Sequence, residues 1–138
     1  MKTAIVPIMI ALALVLTACG SKVDEEASGE VVGKIEESDL GSGRSASTTL
    51  DLSPGKYVLI CNVSGHYKDG MYVAFEVTAG DAPNKATLKV GLGEWYVNPD
   101  RESVATGPIT FEVANGGDRD HDFVIIKTDL APAALVLN

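Results

Sequence analysis

Cys61, His66 and Met71 fall at even spacing in the stretch CNVSGHYKDGM, a C-x4-H-x4-M pattern between KYVLI and MYVAFEV. Thiolate, imidazole and thioether are soft and borderline donors that together serve both oxidation states of copper, and a mononuclear site built from them needs a second imidazole. The chain has two histidines, and the other is His121, in ANGGDRDHDFVII. His121 is therefore the remaining ligand, or there is no such site. Gly65 and Gly70 precede the His and the Met, where a turning backbone would otherwise clash. Asn115 and the Gly116-Gly117 turn are placed to fix the approach of His121, and Asn115 and Asn62 are the residues expected to support the ligands. Singly, each ligand has a commoner explanation: a cysteine in an apolar strand is usually a small core residue, a methionine after a turn is packing, and a surface histidine is solvated. Jointly, both histidines and the cysteine nearest mid-chain fall in two strand-end loops, and one mononuclear copper explains that grouping.

These loops need strands to hold them. VVGKIEE, STTLDL, KYVLICNV, MYVAFEVTA, ATLKVGLGEWYVNP, PITFEVAN and HDFVIIKTD read as strands, with HDFVIIKTD opening at His121. Between them lie the turns SDLGSGRSA, SPG, TAGDAPNKA, RESVATGP and GGDRD. No segment sustains a helical period, and turn signals recur roughly every 8 to 12 residues, the spacing of sandwiches and barrels. The expected fold is an all-β Greek-key sandwich or barrel, in one domain of ordinary size.

The N-terminus, MKTAIVPIMIALALVLTACG, has a short basic start and an apolar run shorter than the roughly 20 residues of a membrane span. It reads as an export signal over residues 1–18. Leu16-Thr17-Ala18-Cys19 resembles a bacterial lipobox, with Cys19 as the lipidated mature N-terminus. Residues 19–30 then form a polar, acidic tether, and residues 31–138 the domain. With Cys19 lipidated, Cys61 is left as a lone thiol in an oxidising compartment, where burial or a metal protects it. A net charge of −8 and a pI of about 4.6 argue against nucleic acid as a partner. Asp118, Asp120 and Asp122 read as solvating the loop that carries His121.

DLSPGKYVLICNVSGHYKDGMYVAFEVT, GPITFEVANGGDRDHDFVIIKTD and EWYVNP resemble the cupredoxins, and most closely the small sulfocyanin- or auracyanin-like blue copper proteins. The resemblance implies one mononuclear type 1 copper with Cys61, His66 and His121 as equatorial ligands and Met71 as the axial one. It also implies that His66 lies nearest the surface. Val63, Tyr67 and Tyr72 near it read equally as a docking patch or as ordinary packing. In the usual family order the strand bearing the first histidine comes early and the Cys-His-Met loop comes late, and here that order is reversed. A circular permutation accounts for this: residues 31–78 carry the Cys-His-Met loop, 79–86 join the old termini, and 87–138 carry the remaining histidine. A domain-swapped dimer is the other way to complete the site. Each element occurs once, so a monomer can close it.

The function expected from this reading is electron transfer with copper cycling between Cu(I) and Cu(II), and no enzymatic step. The carrier would be an exported lipoprotein of the cell membrane or outer membrane, facing the periplasm or the extracellular space, anchored through Cys19 and serving redox partner proteins. A copper chaperone or storage module is the rival, although the chain has only three methionines, two of them in the signal. A multicopper oxidase would need further histidine pairs, and a binuclear site a second cysteine in the loop.

Overall fold

The computed structural model describes residues 29–80 and 85–137. The signal, Cys19, most of the tether and the middle of the 79–86 connection lie outside these residues. The chain forms β1 (Glu30–Ile35), a short 3-10 turn (Glu37–Asp39), β2 (Ser45–Leu52), β3 (Gly55–Ile60), β4 (Tyr72–Thr78), β5 (Ala86–Gly93), β6 (Tyr96–Pro99), β7 (Ser103–Ala105), β8 (Gly107–Asn115), β9 (Phe123–Lys127) and a second 3-10 turn (Pro132–Ala134). There is no α-helix among the described residues. Two mixed sheets, β1-β9-β3-β4-β7 and β2-β8-β5-β6, form a sandwich, so the fold is all-β as expected.

Strand alternation makes the core. Ile109, Phe111 and Val113 of β8 and Leu88, Val90 and Leu92 of β5 face Tyr57, Leu59, Phe75, Val77, Phe123 and Ile125 of the other sheet. Phe111 lies at the centre, with its ring 5.8 Å from Phe75 and 5.7 Å from Phe123. The run YVLIC, from Tyr57 to Cys61, is continuously apolar because β3 is central and buried on both faces. Tyr57 and Leu59 point inward, whereas Val58 and Ile60 join Val124, Ile126 and Leu135 in a second cluster outside the sheet. Cys61 is in phase with Leu59 and so enters the main core at the sandwich's end.

Several boundaries differ from the sequence reading, each for a local reason. The strand expected from His121 begins at Phe123. His121 instead gives its N–H to the carbonyl of Leu40, and the Asp122 carboxylate accepts the N–H of Asn62, so both residues are held by loop contacts. Part of RESVATGP is a strand, because Ser103 to Ala105 pair in parallel with Glu76 to Thr78. The strand expected from residue 31 starts at Glu30 and stops at Ile35. The apolar tail folds back, and Leu135 covers the outer face of β3 and β9.

These pairings place one end of the sandwich in register. Ile60 lies opposite both Tyr72 and Val124, Leu92 opposite Asn115, and Gly93 opposite Tyr96. The ends of β3, β5 and β8 and the beginnings of β4, β6 and β9 therefore converge, and their connecting loops meet there.

Candidate metal centre

The loop from Cys61 to Met71 is a tight cage of backbone bonds. Cys61 N–H donates to the Met71 carbonyl, Met71 N–H to the His66 carbonyl, and His66 N–H to the Val63 carbonyl. Gly65 and Gly70 have φ of 87° and 111°, conformations that a side chain would strain, as their positions before His66 and Met71 suggest. The geometry turns the His66 ring inward over the Cys61 sulfur, and Met71 is fully buried in the same apolar cluster as Cys61.

His121 arrives from the crossover between the sheets, and Asn115 organises that crossover. The buried Asn115 amide donates through Nδ2 to the carbonyls of Leu40 and Arg119, while its Oδ1 accepts the Gly117 N–H. The Leu40 carbonyl also receives the His121 N–H, so one oxygen aligns Asn115 and His121 together. The expected supporting role of Asn115 thus has a definite geometry. Asn62 acts through its backbone N–H, 2.6 Å from Asp122 Oδ1, and as a residue it is exposed. Asp120 and Asp122 are not simply solvating residues: Asp120 accepts the Ser42 N–H, and the buried Asp122 ties the histidine loop to the cysteine strand.

The three donor atoms meet. Cys61 Sγ lies 3.4 Å from His66 Nδ1 and 3.7 Å from His121 Nδ1, and the two Nδ1 atoms are 3.1 Å apart. A triangle with these sides has its centre about 2 Å from each corner, close to first-row metal bonds to nitrogen and sulfur. Cys61 and His121 are fully buried, and His66 is 6% exposed. Burial lowers the pKa of His121, helped by the neighbouring His66 and opposed by Glu94, so its imidazole stays neutral and able to ligate. Burial pushes the Cys61 thiol up to about 12, against backbone N–H groups of Val63 and Asp122 that favour the thiolate.

Two neighbours were not assigned a role in the sequence reading. Glu94 Oε1 lies 3.2 Å from His121 Nε2, and the same carboxylate accepts the N–H groups of Asp118 and Arg119. Burial acts to raise the Glu94 pKa, but these N–H donors and His121 outweigh it and hold the group below the ordinary carboxylate value. Trp95 meets His66 edge-on with ring centroids 5.0 Å apart, and the Arg119 guanidinium lies 5.6 Å from the Trp95 centroid. EWYVNP contained both residues, but only the register of the β5–β6 hairpin against β8 brings them to the histidines. Of the two readings of the aromatics near His66, the structure shows packing: the Tyr67 hydroxyl donates to the Pro132 carbonyl and accepts the Leu135 N–H, and Tyr67 and Tyr72 pack against the outer cluster. Trp95 and Tyr96 are the exposed aromatics nearest this end in sequence.

A family model described as the sulfocyanin (SoxE) domain matches residues 11–84, just over half of the chain and inclusive of Cys61, His66 and Met71. The chain belongs to the sulfocyanin family. Sulfocyanin is a blue copper cupredoxin domain, and the buried Cys61, His66, His121 and Met71 fit one mononuclear type 1 copper site. No curated protein and no solved structure matches the chain significantly. His121 lies beyond the residues that match the sulfocyanin domain, so the fold supplies the ligand that the match does not contain.

The buried thiol sets a pH dependence. The folded, metal-free protein keeps the Cys61 proton to about pH 12, whereas an unfolded thiol ionises near its ordinary value of 9.0. Between these values the unfolded state binds fewer protons, so stability falls as pH rises. Guanidinium unfolding of copper-free protein is expected to show a lower midpoint at pH 10.5 than at pH 8, with a smaller drop in Cys61→Ala. Equal drops in the two proteins would contradict the assignment.

Proposed function

We propose that this sulfocyanin-family chain is an electron carrier exposed outside the cytoplasm, held at a membrane by lipid on Cys19. The observation that carries the redox reading is a preformed donor triangle enclosed by the fold. Among the described residues, Cys61 and His121 are fully buried and His66 nearly so. The clefts lined by Lys89 and Glu112, by Glu102 and Asp129, and by Asp51 and Lys127 include none of the four ligands in their walls. With Cys61 and His121 fully buried, the edge of His66, 6% exposed, is the part of the donor triangle that reaches solvent, and an electron can pass through it. Copper supplies the one-electron couple between Cu(I) and Cu(II). The chain's part is to hold thiolate and imidazoles in one geometry for both states, which keeps reorganisation small.

The proposed order is a circular permutation of the family's strands, closed within a single chain. Two observations support this. Glu30 of β1 pairs with Lys127 of β9, which sets the first and last described strands side by side. Cys61, His66 and His121 also meet without any second copy. Termini that lie close at the surface are the situation in which chains tolerate relocation of their ends. The electron donor and acceptor are proposed to be redox proteins of the same compartment.

Cu(II) added to residues 22–138 is expected to give an intense blue species that sediments as a single chain and reduces rapidly and reversibly. Cys61→Ser should abolish the colour. A colourless complex would sink the redox reading and favour a copper store or chaperone, and colour confined to a dimer would contradict single-chain closure.

Export and anchoring have a separate check. Cys19→Ala in the producing cell should move the protein from the membrane to the soluble fraction, and unchanged membrane retention would overturn the lipid anchor.

A further inference from the structure

The turn between β5 and β6 is not part of the C-x4-H-x4-M loop, lies outside residues 11–84, and yet reaches both imidazoles. Its Trp95 meets His66 and its Glu94 meets His121. The second contact has the more specific chemistry. A metal-bound histidine usually donates its other ring N–H to a carboxylate, carbonyl or water, which fixes the tautomer and the ring plane and raises the basicity of the ligating nitrogen. His121 presents Nδ1 to Cys61 Sγ and to His66 Nδ1, and its Nε2 to Glu94 Oε1. The carboxylate can only accept, so Nε2 carries the proton and Nδ1 the lone pair.

Glu94 is itself held in place. Asp118 N–H donates to Oε2 and Arg119 N–H to Oε1, so the carboxylate is oriented by the same crossover that delivers His121. Gly117 makes the approach possible. A Cβ at that position would lie 2.6 Å from each carboxylate oxygen, so any side chain there displaces the Glu94 head group. Gly117 does not have the positive φ that would otherwise explain a glycine. Its lack of a side chain is needed for the carboxylate.

We propose that Glu94 is a positioning residue of the copper site, which locks His121 with Nδ1 toward the metal and sets a negative charge against it that favours Cu(II) over Cu(I). The inference rests on the blue copper reading and extends it to the reduction potential. Glu94 is an exposed residue at the rim while His121 is fully buried, so solvent damps the attraction on one side only, and it stays stronger than between two charges in water. The copper ion gains one unit of positive charge on oxidation, and so the carboxylate lowers the potential. Copper tuning in this chain is thereby assigned to a residue remote in sequence from every ligand.

Two substitutions separate charge from position. Glu94→Gln keeps an oxygen to accept the His121 N–H and removes the charge. Gly117→Ala keeps the charge and moves the carboxylate away, at a point where only the end of a flexible side chain has to shift. The experiment is a mediated redox titration of the purified full chain loaded with copper, read at the blue band. Glu94→Gln is expected to stay blue and to move the Cu(II)/Cu(I) balance about tenfold toward Cu(I), 59 mV upward for a one-electron couple. Gly117→Ala is expected to shift it in the same direction by less. Blue variants whose potentials equal that of the starting protein, or fall below it, would overturn the role of Glu94. A starting protein that is not blue would instead sink the copper reading itself. In copper-free protein, nitrogen NMR should find His121 protonated at Nε2, with a mixture of tautomers in Glu94→Ala. The same single tautomer in that variant would overturn the lock.

Discussion

Two imidazole nitrogens 3.1 Å apart, in contact with a thiol sulfur and enclosed by an apolar sandwich, are the constraint around which the rest of this structure is arranged. Buried polar atoms cost stability unless they are paired. Here pairing is complete, since no buried side-chain nitrogen or oxygen among the described residues lacks a partner. With the proton of His121 committed to Glu94, the Nδ1 of His121 accepts and that of His66 donates in the metal-free protein. This contact keeps the donors together before any metal arrives. A metal replacing it finds the ligands already gathered.

Sheet pairing supplies the precision. β3 leads directly into Cys61 and pairs on one side with β4, which starts after Met71, and on the other with β9, which follows His121. A slip by one residue in either ladder would send Cys61 to the opposite face of the sheet. Such slips are opposed by both apolar clusters, because β3 is buried on the inner face against β8 and on the outer face beneath Leu135. The tail therefore contributes to the site from the far side of the sheet. Its link is direct, through Tyr67, which neighbours His66 and is hydrogen-bonded to the backbone at Pro132 and Leu135.

The four ligands were legible because their chemistry is scarce in this chain: with two histidines and, apart from Cys19, a single cysteine, the donor set had one solution. The sandwich was legible from alternation and turn spacing. Glu94 and Trp95 were not, because nothing in EWYVNP distinguishes a carboxylate that orients a ligand from one that faces water. Their roles arise from parallel pairing of β5 with β8, a contact between segments more than 20 residues apart that local pattern does not encode. Asp120 and Asp122 were misjudged for a related reason. Closely spaced acids are usually solvated, but here the crossover needs acceptors for the N–H groups of Ser42 and Asn62. The tyrosines beside His66 left patch and packing open, because the tail that packs against them is remote in sequence.

The central claim is that one copper is held by the sulfur of Cys61 and one nitrogen each of His66 and His121. X-ray absorption at the copper edge of the loaded protein measures this directly. The expected spectrum fits one sulfur and two imidazole nitrogens at bonds of about 2.0 to 2.3 Å. Loss of the sulfur in Cys61→Ser and of one nitrogen in His121→Ala would complete the assignment. A shell of oxygen and nitrogen without sulfur would contradict it.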